Sequence, residues 1–203
     1  MNSYLSKTTI LLLTLFTSIS ACNKPTKETV KEITIAIQPF GNFSDDDARY
    51  IASEIQKAYP KVEIMLPMDF PSSAYKKDRK RYRADSLINY LSRKSSSEHV
   101  TIGLTDEDIS ATKDEHKDWG VMGLGFCPGN ACIASTFRLS KEQKLDQLFK
   151  VAIHELGHTQ GLPHCAVKTC FMRDAEGKNP TNEEKEFCKE CKRLLINKGW
   201  HLR

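Results

Sequence analysis

The sequence predicts an α/β fold, a mixed twisted sheet packed by helices. Three observations predict it. Strand-like and helix-like patterns alternate from Ile33 to Leu104, a glycine-rich strand-like stretch runs from Trp119 to Leu139, and one long amphipathic helix extends from about Ser140 to Thr159.

Taken in order, Ile33, Ile35 and Ile37 alternate with Thr34 and Ala36, the two-residue period of a strand with one face inward. Ser44-Asp45-Asp46-Asp47 then supplies a capping serine and a first turn of acids, and Ala48, Ile51, Ala52 and Ile55 fall on one helical face. A second strand is expected after Pro60, at Val62–Leu66. From Ala84 to Ser92 the pattern is helical again, with Leu87, Ile88 and Leu91 inward, and His99–Leu104 returns to strand.

Val121–Leu124 and Ile133–Phe137 lie on either side of a bend at Cys127 to Cys132, as in a hairpin, and Ile133–Phe137 is expected to be the sheet edge that pairs with an extended peptide. Ser140 and Gln143 read as a capping box opening the long helix, whose inner face carries Leu145, Leu148, Phe149, Ala152 and Leu156. A closing helix is expected from Asn182 to Asn197, with Phe187, Leu194 and Leu195 as its apolar contacts.

The amino-terminal end reads differently. Lys7 precedes the apolar run Ile10–Phe16, which is too short to span a bilayer and resembles the core of a secretory signal. Ile19-Ser20-Ala21-Cys22 follows it, resembling a bacterial lipoprotein signal, so residues 1–21 are expected to be removed and Cys22 to carry lipid. The polar stretch 22–31 reads as a tether and 32–203 as a single catalytic domain of the bacterial cell envelope. Without residues 1–21 there are 29 basic and 26 acidic residues, a net charge of +3. That is too weak to argue for nucleic acid, and a monomer held at the membrane by its lipid is expected.

Lipidation of Cys22 leaves six cysteines. Cys127 and Cys132 flank a Pro-Gly bend and are expected to form a disulfide in an oxidising compartment. Cys165, Cys170, Cys188 and Cys191 form a second group. Four thiolates in two short pairs suit a closed tetrahedral zinc site, and two local disulfides are the alternative.

The chemistry is concentrated in His154-Glu155-Leu156-Gly157-His158. Four residues of helix turn the second imidazole only about 40° from the first, so both can reach one ion. Gly161 can take positive φ and stop the helix, and Pro163 directs the chain so that His164 returns as a third ligand. Gly161 and His164 at these offsets reduce accidental matches to the five-residue motif by roughly three orders of magnitude. Zinc held by three histidines keeps a fourth position for water, and Glu155 stands where it can act as that water's general base.

At this point the chain resembles the archaemetzincins. His164-Cys165, Cys170, Met172 and Cys188-Lys189-Glu190-Cys191 follow the histidine motif in that family's order, and the resemblance extends over Pro71, Ala74, Tyr75, Arg79, Tyr82, Thr105–Asp108 and Ser135–Leu139. It implies a metzincin fold of the zincin kind with a small zinc-bound carboxy-terminal part, and Met172 as the methionine beneath a catalytic zinc. It further implies a second, structural zinc at Cys165, Cys170, Cys188 and Cys191, making two zinc ions per chain. The implied activity is peptide-bond hydrolysis, with aminopeptidase action on short peptides. The gap from Met172 to Cys188, the Cys127/Cys132 pair and the lipoprotein signal depart from the family pattern.

The run Lys76–Arg83 reads as a solvated charged face. A zinc-binding lipoprotein without turnover is the rival reading, against which the intact Glu155 argues, and a thiol-redox role for Cys188 and Cys191 sits poorly beside three metal-ready histidines.

Overall fold

Alternation in the first strand has the expected consequence: Ile35 and Ile37 are wholly buried in β1 (Thr34–Pro39). The computed structural model describes residues 32–202, so Cys22 and the lipoprotein signal lie outside the described residues. Helix α1 (Asp45–Gln56) starts as its sequence dictates, with the Ser44 hydroxyl accepting from the Asp47 N–H and Ala48, Ile51, Ala52 and Ile55 buried. Strand β2 (Val62–Ile64) is shorter than expected, its ladder with β1 ending where the Met65 N–H donates to the Ile37 carbonyl at 2.8 Å.

Two short strands, β3 (Tyr75–Lys76) and β4 (Arg81–Arg83), precede α2 (Ala84–Lys94), where Leu87, Ile88 and Leu91 turn inward. Then come β5 (His99–Thr105), β6 (Ile109–Lys113), β7 (His116–Val121), β8 (Gly123–Gly125) and β9 (Ala131–Ser135). Two helices complete the set, α3 (Lys144–Thr159) and α4 (Lys189–Ile196).

The main sheet has the order β2-β1-β5-β9-β8, parallel throughout except for antiparallel β8. It is therefore the mixed α/β sheet the sequence predicts. One face packs on α1, α3 and the carboxy-terminal segment through Ile37, Ile102, Ala134, Leu148, Ala152 and Phe187; the other covers Leu87, Leu91 and Ile133 beneath α2.

Four expectations need correction. β9, containing Ile133, is not the edge: it lies between β5 and β8, every residue buried, and the short β8 forms the edge beside the metal motif. The long helix begins at Lys144 rather than Ser140, since the Ser140 N–H donates to Oε1 of Gln147 and its side chain caps nothing at the helix start. The closing helix begins at Lys189, and Lys185 and Glu186 before it instead bond to the backbone of Thr169 and Phe171, as in Phe171 N–H to Glu186 O at 3.0 Å.

The basic run is a solvated face from Lys77 to Lys80, as expected, but not at its Arg81–Arg83 end. Arg81 and Arg83 belong to a second sheet of order β3-β4-β6-β7, in which Arg79, Arg81 and Arg83 surround Asp118, and Arg81 and Arg138 flank Asp108. The guanidinium groups of Arg81 and Arg83, which are largely shielded, need such carboxylates, because an unpaired charge there would carry a large desolvation cost.

Candidate active site

The last turns of α3 present His154 and His158 on one side, and Gly161, at φ +86°, ends the helix with its N–H on the carbonyl of His158 at 2.7 Å. The chain then returns His164 to the same place. The three rings stand 4.6, 5.4 and 4.9 Å apart between centroids, with one nitrogen of each within 4.8 Å of the others.

Each ring is oriented from behind. Nδ1 of His154 donates to the carbonyl of Phe171 at 2.6 Å and Nδ1 of His158 to that of Leu162 at 2.8 Å, which leaves Nε2 of both as a lone-pair donor. Asp174 Oδ2 lies 3.3 Å from Nδ1 of His164 and does the same for the third ring. Burial holds His154 neutral, bringing its pKa down to about 3, and lowers that of His158 as well. Neutral imidazoles are what a divalent ion requires.

Glu155 stands against the edge strand β8. A Cβ on Gly123 would lie 2.6 Å from Glu155 Oε1, and one on Gly125 2.8 Å from the Glu155 carbonyl oxygen. Glycine at both places is thus a condition for the carboxylate to sit between helix and edge strand. Burial there pushes the Glu155 carboxyl up to about 8, and a dication at the histidines would pull it back down.

Met172 lies beneath the histidines, fully buried, with its sulfur against Gly157. Its carbonyl accepts from the Cys165 N–H at 2.7 Å, which ties the turn to the segment just after His164.

Immediately behind, the sulfurs of Cys165, Cys170, Cys188 and Cys191 gather within 4.8 Å of one another. Cys165 and Cys188 are 3.7 Å apart and Cys170 and Cys191 3.8 Å. A tetrahedron with metal–sulfur bonds of about 2.3 Å has an edge of about 3.8 Å, whereas a disulfide needs about 2.05 Å. The N–H groups of Val167, Met172 and Cys188 point at these sulfurs from 3.5, 3.4 and 3.2 Å, as charge on thiolates demands. Against burial, which raises it, the Cys191 N–H and the neighbouring thiols bring Cys188 down to about 7. The donor set therefore fits zinc, and the alternative of two local disulfides is not what the structure contains.

Cys127 and Cys132 are not joined. Cys127 is exposed with its sulfur 3.4 Å from the carbonyl of Leu162, while Cys132 is wholly buried beside Glu155. The four-residue spacing allows a bridge; the strand pairing of Cys132 with Gly125 turns that thiol into the core instead.

Sequence reasoning passed over Asp174, Gly123, Gly125 and Gln147. Gln147 is buried on α3 and bonds Asn179 and Asn182, which fixes the loop that carries Asp174. The glycines were visible as a Gly-x-Gly strand. The other two carry no local signal.

An edge strand beside a helix with two histidines, a third histidine after a glycine turn, and a buried methionine below define a zinc metallopeptidase. The chain belongs to peptidase family M54, whose family model matches residues 43–197. Curated relatives include the archaemetzincins of Halobacterium salinarum, 29% identical over 80% of this chain and 99% of that protein, and of Haloquadratum walsbyi, 30% identical over 79% and 98%. Among solved structures, archaemetzincin from Archaeoglobus fulgidus, complexed with malonate, matches with TM-score 0.69 and 26% identity over 80% of this chain and 99% of that one. Archaemetzincin from Methanopyrus kandleri shares the fold with TM-score 0.69, at 24% identity over 82% and 96%.

Proposed function

We propose that His154, His158 and His164 hold a catalytic zinc through Nε2, that Glu155 is the general base, and that Cys165, Cys170, Cys188 and Cys191 hold a second, structural zinc. Zinc bound at the histidines supplies a polarised carbonyl and a water whose pKa is lowered toward about 7. Glu155 would take a proton from the attacking water and pass it to the leaving amine, and its burial between α3 and β8 keeps bulk water from competing for it. The free edge of β8 offers backbone groups to an extended peptide, placing the bond to be cut beside Gly123. Met172 supports the floor of the site. Aminopeptidase action, implied by the resemblance, has no named residue behind it and is not part of this reading.

The observation that carries the proposal is the Glu155 carboxylate packed on Gly123 next to three outward-oriented imidazoles. Glu155→Ala tests it: cleavage of a peptide library should disappear while two zinc equivalents remain bound. Persisting cleavage, or loss of the metal from that variant, would count against the role.

We further propose that the protein is a cell-envelope lipoprotein, a reading supported by Ile19-Ser20-Ala21-Cys22. Cys22→Ala should leave the membrane fraction; a variant that stayed bound to membranes would refute the lipid anchor.

A further inference from the structure

The edge strand runs from Gly123 to Gly125, so a peptide that pairs with it antiparallel passes Gly125 first and Gly123 last. Glu155 beside Gly123 marks the reacting bond, and the leaving part of the peptide then runs on toward the strand that precedes β8. That strand is β7, which carries Trp119.

Trp119 reaches across to the opposite wall. Its ring packs on Gly177, in the loop after Met172, so that a Cβ on Gly177 would lie 3.2 Å from Cζ2. Gly177 has φ +77°, a conformation that favours glycine there for a second reason. The loop is braced from below: Asn179 and Asn182 bond Gln147, Lys150 Nζ donates to the Thr181 carbonyl at 2.9 Å, and Asp174 faces His164. A wall pinned at four points and touched by an indole closes the groove on that side. Gly123 and Trp119 lie four residues apart along a chain that bends at Met122, a span of at most about 13 Å, which is room for no more than about four substrate residues.

A cation stands at this closed end. Lys113, exposed on β6, has its ammonium 5.8 Å from the centre of the Trp119 ring. Among the described residues it is in no salt bridge.

We propose that the Trp119–Gly177 contact closes the carboxyl end of the cleft and that Lys113 receives the terminal α-carboxylate of the substrate, so that a short carboxy-terminal fragment is released. This rests on the peptidase reading above and sets the cleaving mode at the carboxyl end, in place of the aminopeptidase action implied by the resemblance. One water is consumed per bond. Its oxygen joins the carbonyl carbon to make the new carboxylate of the upstream peptide, the C–N bond breaks, and both protons end on the leaving nitrogen, which departs as an ammonium.

The test uses zinc-loaded protein and N-acetylated peptides carrying one to five residues beyond the cut bond, each made as the free acid and as the amide. The free acid should be cleaved at least about tenfold better in kcat/KM, since a charge-assisted bond is lost in the amide, and the released fragment should be no longer than about four residues whatever the total length. Lys113→Met should bring the acid-to-amide ratio close to one, and Trp119→Ala should let longer fragments leave; zinc content and circular dichroism of both variants establish that they fold. Equal cleavage of acid and amide by the parent, a ratio that Lys113→Met leaves untouched, or cleavage only of peptides with a free amino terminus overturns this inference alone. If the parent cleaves no peptide, or Glu155→Ala cleaves as well as the parent, the peptidase reading falls and this inference falls with it.

Discussion

Met172 rests its sulfur directly on the backbone of Gly157, so closely that a Cβ there would stand 2.3 Å from Sδ. The contact joins the middle of the histidine motif to the turn beneath it. Gly157→Ala should therefore push Met172 away or lift the end of α3, costing about 1–3 kcal/mol of stability. Thermal unfolding and the rate of zinc release to a chelator would register it, and an unchanged release rate would mean that Met172 does not support the ligand geometry.

Gly123 tests the other side of Glu155. A methyl there meets Oε1 and Cγ of Glu155 and Cγ1 of Val151, at 2.6, 2.7 and 2.8 Å, so the carboxylate must move. Gly123→Ala is expected to lower kcat/KM by about a hundredfold with zinc content unaltered, as a displaced general base should. Steady-state kinetics beside metal analysis would decide it.

The cysteine site and the histidine site share one segment. Phe171, whose carbonyl orients His154, lies between Cys170 and Met172, and Cys165 follows His164 directly. Cys188→Ser should reduce bound zinc from two equivalents to one and cost about 5 kcal/mol or more, because metal binding there is folding free energy. It should also speed loss of the remaining zinc. Retention of two equivalents would refute the four-thiolate site.

Glu184 gives a pH signature. Burial pushes its carboxyl up to about 7, against the pull of Lys150 and Arg173. Its folded pKa lies above the unfolded value of 4.5, so the folded chain holds a proton that the unfolded chain has lost. Stability from this group is complete below about pH 4.5 and is lost as the pH rises through about 7. Glu184→Gln should accordingly be more stable than the parent at pH 8, by at most about 3 kcal/mol, with the advantage gone near pH 5. Melting temperatures from pH 5 to 8 would test this, and a constant difference across that range would contradict it.

Much of the site was legible because its logic is local. Four residues of helix bring His154 and His158 to one side, Gly161 ends the helix, and the Ser44 cap and the isoleucines of β1 follow the same short-range rules. What lay out of reach depended on partners far along the chain. β4 is three residues long, too short to show a period, and its arginines are drawn into a sheet by Asp108 and Asp118, more than twenty residues away.

The same limit misplaced the edge strand. Alternation and apolar content describe β9 but cannot say whether a further strand will pair beyond it, and only the antiparallel docking of Gly123–Gly125 settles that. Residue spacing permitted a bridge from Cys127 to Cys132; strand register sent one thiol inward to Glu155 and left the other outside near Leu162. By itself, then, the sequence determined the three clustered histidines, the glutamate proposed as base and the helix that carries them, since those rest on periodicities of a few residues. The tertiary structure decided which strand borders the cleft, how Asp174 comes to face His164, and where the cleft ends, because each is a contact between segments whose meeting depends on the packing of the whole sheet.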